Sequence, residues 1–88
     1  MSENKAWTIE VELEEDPDHT DAKVTLRIGD KEHGGWGRAR RNPSDPNVPR
    51  IGEELAVARA LADLSHRLVE AAVAEIEAHE GREVNVHL

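Results

Sequence analysis

One stretch, Gly52 to His79, limits the folds open to this chain more than any other. At about 100° per residue, Val57, Ala58, Leu61, Leu64, Leu68, Val69, Ala72 and Ile76 fall on one side of a helical wheel. Arg59, Asp63, Arg67, Glu70 and Glu77 fall on the other. The pattern predicts an amphipathic helix with one apolar stripe turned to a core and a charged back. Arg59 to Asp63 and Asp63 to Arg67 at i,i+4, and Arg67 to Glu70 at i,i+3, predict ion pairs along that back. Gly52 reads as the N-cap, with Glu53 and Glu54 at the positive end of the helix dipole, and Gly81 as the residue that ends the helix. At about 1.5 Å per residue it would be roughly 40 Å long, longer than any strand available to cover it.

What precedes the helix alternates with period two. Trp7, Ile9, Val11 and Leu13 are apolar, and Thr8, Glu10, Glu12 and Glu14 polar, which predicts a strand with one buried face. Pro17 lies in an acidic turn. A second strand then places Ala22, Val24, Leu26 and Ile28 on one face and Asp21, Lys23, Thr25 and Arg27 on the other. Lys23 and Arg27 are placed to pair across strands with the row of Glu10, Glu12 and Glu14. Gly29 and Asp30 form a tight turn into a third strand through Lys31 to Arg41. There, Gly35 and Gly37 recur at every second position with Ala39. Such spacing marks the close approach of another backbone, which places Gly35, Gly37 and Ala39 under the helix or a second subunit and Trp36, Arg38 and Arg40 outward. A slip of one residue exchanges the faces and turns Trp36 inward, so both registers stay open. Pro43, Pro46 and Pro49 predict an extended linker that excludes helix before Gly52. After the helix, Val84, Val86 and Leu88 alternate with polar residues, as a short terminal strand or a tail ordered by a partner would.

The fold class is therefore α+β: a three-stranded antiparallel sheet followed by one long helix, in the order β-β-β-α. Residues 1–6 read as a frayed start, 7–80 as the single domain and 81–88 as a tail. A chain of 88 residues buries only about 60 to 65% of its unfolded surface, so a partner that extends the core would stabilise it. The lack of Cys removes disulfides and thiolate chemistry, and no apolar run suggests a leader or membrane span, so the cytoplasm is the expected location. A net charge of −8 opposes general polyanion binding.

The segment Arg50-Ile-Gly-Glu-Glu-Leu-Ala-Val-Ala-Arg-Ala-Leu-Ala-Asp-Leu, the Gly-x-Gly-x-Ala-Arg strand at Gly35 to Arg40 and the Pro-x-Asp linker at Pro43 to Asp45 resemble a family of small actinobacterial proteins of unassigned function. The resemblance spans about residues 7–80. It implies a double-stranded-RNA-binding-domain-like fold paired as a homodimer, links with dormancy or stress, and a shape comparable to ribosome hibernation factors.

The residues themselves narrow what such a fold can bind. Double-stranded-RNA-binding domains present basic residues at the start of the helix that follows the sheet, whereas Gly52, Glu53 and Glu54 here would repel phosphate. The candidate surface for RNA or an acidic partner is Lys31, Trp36, Arg38, Arg40, Arg41 and Arg50. Trp7, Gly35, Gly37, Leu61, Leu64, Leu68 and Ile76 are the candidate core or dimer residues. His19, His33, His66, His79 and His87 lack metal-ligand spacing, and Ser65 beside His66 points in a different direction on a helix, so neither a metal site nor a nucleophile is expected. No cofactor or small-molecule substrate is implied. Two functions compete: a homodimeric stress-associated accessory protein docking on the ribosome or structured RNA through the third strand, and a homodimeric interaction module with a protein client.

Overall fold

The computed structural model describes residues 2–41 and 48–80. Strands β1 (Ile9–Glu15), β2 (His19–Ile28) and β3 (Lys31–Arg40) form one antiparallel sheet in the order β1-β2-β3, and helix α1 (Pro49–Glu80) follows. Trp7 lies outside β1, which starts two residues later than the alternation suggests.

Each hairpin has its own local cause. In the first, the Asp16 carboxylate accepts from the backbone N–H of Asp18 (2.8 Å) and of His19 (3.0 Å), a side-chain mimic of a backbone turn. In the second, Gly29 sits at φ +61° while Asp30 keeps a negative φ, the requirement of a two-residue turn with glycine at its first central position.

The helix begins at Pro49, not at Gly52. Proline is favoured in the first helical position because its missing N–H would have no partner there, so the last proline opens the helix that it was expected to exclude. Gly52 then lies inside the first turn, where a β-carbon would come within 3.1 Å of Thr20 Oγ1 on β2. Pro43, Pro46, Gly81 and the alternation of Val84, Val86 and Leu88 lie outside the described residues.

The register settles the faces of β3. Gly35 and Gly37 pair with Val24 and Ala22, and both are buried beneath α1. A β-carbon on Gly35 would overlap the Ala60 carbonyl and come within 2.7 Å of the Leu64 nitrogen, and one on Gly37 would overlap the Ala56 carbonyl. The helix side of this approach is formed by Ala56 and Ala60, both fully buried, and by Leu64, 2% exposed. These residues, with Ala22, Val24, Leu26 and Ala39, make the core, and Ile28, Val57 and Leu68 pack at its margin. The stripe expected from the wheel is thereby divided. Leu64 rests on the sheet with Val57 and Leu68 beside it, Leu61 stays 38% exposed, and Ala58 and Ala72 point away.

Polar contacts fix the helix over β3. Asp63, expected on the charged back, reaches the sheet margin and accepts from the Trp36 backbone N–H at 3.0 Å, while Arg59 donates to the Arg38 carbonyl at 2.7 Å instead of pairing with Asp63. Arg67 pairs with Asp63 at 3.2 Å, and Glu70 meets His66 at 3.3 Å where a pair with Arg67 was expected. Lys31 and Glu75 join the start of β3 to the last turns of the helix. The expected cross-strand pair forms between Arg27 and Glu10 at 3.2 Å.

These contacts lower the proton affinity of four carboxyls and raise that of the bases Arg27, Lys31 and Arg38. The Trp36 N–H holds the Asp63 carboxyl below its ordinary range, the Arg38 guanidinium does so for Asp21, Lys31 for Glu75, and the turn amides for Asp16. Glu15 moves the opposite way, raised by its hydrogen bond to Glu53.

Two outcomes follow. Gly37→Ala should destabilise the fold by about 3 kcal/mol in urea denaturation, since the new methyl meets helix backbone that cannot rotate aside. The four depressed carboxylates contribute stability above the ordinary carboxylate range that is lost as pH falls through their lower folded values; the raised Glu15 contributes below that range and loses it as pH rises. The melting temperature should therefore fall on acidification below about pH 4, and Asp63→Asn, which keeps an acceptor for Trp36, should make that fall shallower.

Candidate interaction surfaces

Three surfaces remain outside the core. The first is the sheet face turned away from the helix, where the even-numbered residues of β3 stand. Trp36 is 53% exposed, with the Arg38 guanidinium 5.3 Å from its ring centroid. Arg38 is also held by Asp21 through two bonds, of 2.6 and 3.0 Å, which bind it in a fork. Arg40 is exposed on the same face opposite His19. Lys31 stands at the other end of β3, nine residues and roughly 30 Å away. Arg50 sits on the first helical turn and pairs with Glu54 at 3.5 Å. The six predicted contact residues thus do not form one basic patch. Trp36, Arg38 and Arg40 share a face, Arg41 lies at its end, and Lys31 and Arg50 stand apart beside acids.

The second surface is a cleft of about 550 Å³ between the first hairpin turn, the end of β3 and the first turns of α1. Arg40, Arg41, Glu15 and Asp16 line it together with the apolar side chains of Val48, Ile51 and Leu55. Its charges are mixed in sign, and the apolar lining is itself well exposed: Val48 43%, Ile51 53% and Leu55 47%.

The third surface is apolar and has two parts. Ile9, Val11 and Leu13 pair with Leu26, Val24 and Ala22, so their side chains share the helix-side face of the sheet. The helix packs mainly on β3 and β2 and leaves them partly open; each is 40 to 43% exposed, and Trp7 just before them is 63% exposed. Because Asp63 and Arg59 reach the outer margin of β3, the opposite flank of α1, with Val57, Leu61 and Leu68, faces the β1 side. The other part lies on the outer face of α1, about 160° around from Ala56, Ala60 and Leu64. Ile51, Leu55, Ala58, Ala62, Ser65, Val69, Ala72 and Ile76 follow one another at alternating steps of four and three, a heptad seam without a charge. Val69 and Ile76 are half-buried and the other six exposed.

Of the predicted core or dimer residues, Gly35, Gly37 and Leu64 are buried, Leu68 borders the core, and Trp7, Leu61 and Ile76 lie on this third surface. The seam was not separated in the sequence because four of its members, Ala58, Val69, Ala72 and Ile76, fall in the same apolar stripe as Leu64 and Leu68; the four-three spacing is the signal that separates them. Among the described residues, no three His, Asp or Glu side chains converge in a way that could hold a metal ion, and no helix is long and apolar enough to cross a membrane.

Comparison with known proteins places this arrangement among relatives. The uncharacterized protein Mb1767 of Mycobacterium bovis is 49% identical over 72 residues, covering 82% of this chain and 77% of the relative. The uncharacterized protein Rv2632c of Mycobacterium tuberculosis is 42% identical over 74 residues, covering 84% of this chain and 80% of the relative. The crystal structure of Rv2632c superposes with a TM-score of 0.84 at 38% identity, over 92% of this chain and 96% of that one. With the family model described as Rv2632c-like matching residues 5–85, the chain belongs to the Rv2632c-like family.

Proposed function

We propose that this protein is a non-catalytic, homodimeric interaction module whose client is another protein. One observation carries the reading: α1 is apolar on two opposite faces, and only one of them has a sheet to lie on. An uncharged helical face of eight positions in a chain that is 34% charged is a surface for contact.

The outer seam is complementary to itself when two helices run antiparallel. Ile51 then meets the partner's Ile76, Leu55 the partner's Ala72, Ala58 the partner's Val69 and Ala62 the partner's Ser65. Leu55 and Val69 each face an alanine, the isoleucines meet at the two ends, and the smallest pair lies at the centre, where the axes approach most closely. The flanks agree, because Leu61 is set beside the partner's Leu68 and Arg59 near the partner's Glu70. A parallel pair would put Leu55 on Leu55 next to Ala58 on Ala58, an uneven spacing. Ile51, Leu55, Leu61 and the β1 row together expose several hundred Å² of apolar surface, approaching the roughly 800 Å² per partner of a standard interface.

A second reading, docking on the ribosome or structured RNA as a stress- or dormancy-associated accessory protein, is favoured by Trp36 with Arg38 over its ring and by the exposed Arg40 and Arg41. Against it, Arg38, Lys31 and Arg50 already stand beside Asp21, Glu75 and Glu54, and this pairing lowers the charge available to phosphate.

Sedimentation equilibrium at micromolar concentration should give twice the 9.8 kDa chain mass, and Ala62→Glu should return it to one chain mass with unchanged helical circular dichroism. Mixing Leu55→Cys with Ala72→Cys protein under oxidising conditions should yield the mixed disulfide dimer. A Leu55→Cys homodimer formed in preference would overturn the antiparallel pairing, and chain-mass species alone would overturn the dimer. In low-salt lysate from starved cells, the protein should stay at the top of a sucrose gradient. Co-sedimentation with ribosomes that is abolished by Arg40→Glu/Arg41→Glu would favour the second reading instead.

A further inference from the structure

The two edges of the sheet are treated differently. On β3, the outward N–H of Trp36 is taken by Asp63 and the outward carbonyl of Arg38 by Arg59, so helix side chains occupy the positions an added strand would need. Those two bonds also fix the phase of the whole ladder. If Trp36 and Arg38 point their backbone groups away from β2, then in an antiparallel sheet Lys23 and Thr25 turn theirs toward β1 and bond Glu12 and Glu10. The N–H and C=O groups of Ile9, Val11 and Leu13 are left on the open edge. Among the described residues, no side-chain hydrogen bond closes that edge.

From this edge we infer that β1 accepts an extended segment of a partner protein, added as a fourth strand, in which apolar residues alternate with lysine or arginine. The inference rests on the protein-client reading above and names the client's chemistry. Backbone bonding through Val11 and Leu13 supplies the attachment, and the two faces of β1 supply the selection. Apolar residues of the added strand continue the row of Ile9, Val11 and Leu13. Its remaining residues stand beside Glu10, Glu12 and Glu14, three acids in succession on the opposite face, of which Glu10 already holds Arg27. Opposite charges side by side on adjacent strands attract, and like charges repel. The same row makes a second copy a poor occupant, since antiparallel pairing of β1 with β1 sets glutamate against glutamate in any register that matches the apolar rows. The chain's own segment after α1 fits less well too: with Val84, Val86 and Leu88 in the apolar row, Glu83, Asn85 and His87 would face the acids.

The test uses the full chain and a dye-labelled peptide that alternates valine with lysine, followed by fluorescence anisotropy. Two further peptides serve as controls, one with glutamate for lysine and one with the same residues sorted into blocks. The alternating valine–lysine peptide should bind at least about tenfold more tightly than either, and should slow hydrogen exchange at Ile9, Val11 and Leu13. Val11→Pro removes one outward N–H and leaves the β1–β2 bonds of Glu10 and Glu12 in place, and should abolish binding. Glu12→Lys/Glu14→Lys should transfer the preference to the valine–glutamate peptide, which keeps the test decisive if the proline variant fails to fold. Equal binding of the block peptide, or a lysine preference that survives the charge exchange, overturns the inference. So does protection of the three amides in the free protein that Val84→Asp/Val86→Asp removes, since the chain's own segment would then occupy the edge. Loss of the peptide signal while the dimer and its protein clients persist overturns this inference and leaves the preceding reading in place.

Discussion

The contact between the backbone of α1 and the backbone of β3 sets everything else in this molecule. Four residues of helix advance about 6 Å and two residues of strand about 6.6 Å, so Ala56 and Ala60 can stand in step over Gly37 and Gly35. The match lets the helix descend until its carbonyl and amide groups lie against the strand. A side chain on either partner larger than the ones present would lift it away. Stability in this small core comes from close approach more than from bulk, since its largest fully buried side chains are only Leu64 and Val24.

That approach has a cost elsewhere. A helix that turns its smallest side chains to the sheet must carry its larger ones on its flanks and back, and a helix seated over β2 and β3 leaves the apolar row of β1 only partly covered. The exposed Ile51, Leu55 and Leu61 and the half-exposed Ile9, Val11 and Leu13 are therefore one consequence seen in two places. The polar groups follow the same geometry. Because the helix lies over β3, Asp63 and Arg59 reach that strand's backbone, and both help to hold the helix to the sheet.

Much of this was legible in the residues. Period-two alternation located the first two strands, the Gly29-Asp30 turn implied the third, and the recurrence of Gly35 and Gly37 marked the place where a backbone approaches. Choosing between the two registers of β3 needed the pairing itself, because a one-residue slip preserves the alternation and exchanges its faces. The helix was legible in extent and misread in orientation. A helical wheel weighs Leu61 above Ala60, yet the glycines opposite select for small size, so the residues with least hydrophobic weight take the buried position. Its start was misread because proline was treated as a breaker, when Pro49 occupies the one helical position that suits it. The candidate basic surface was grouped by proximity in sequence, but a strand carries Lys31 and Arg40 to opposite ends, and the acids that accompany Lys31, Arg38 and Arg50 come from other parts of the fold.

The capping of β3 by Asp63 and Arg59 gives the sheet a direction. With the Trp36 N–H and the Arg38 carbonyl taken by its own helix, the middle of β3 is closed to an added strand, and among the described residues β1 is the edge left open. Copies of a sheet open on both sides can join edge to edge without limit, whereas copies blocked at β3 can meet only β1 to β1, a contact that closes at two. A chain this short, with little core to resist unfolding, thereby carries a built-in terminator against fibrous association.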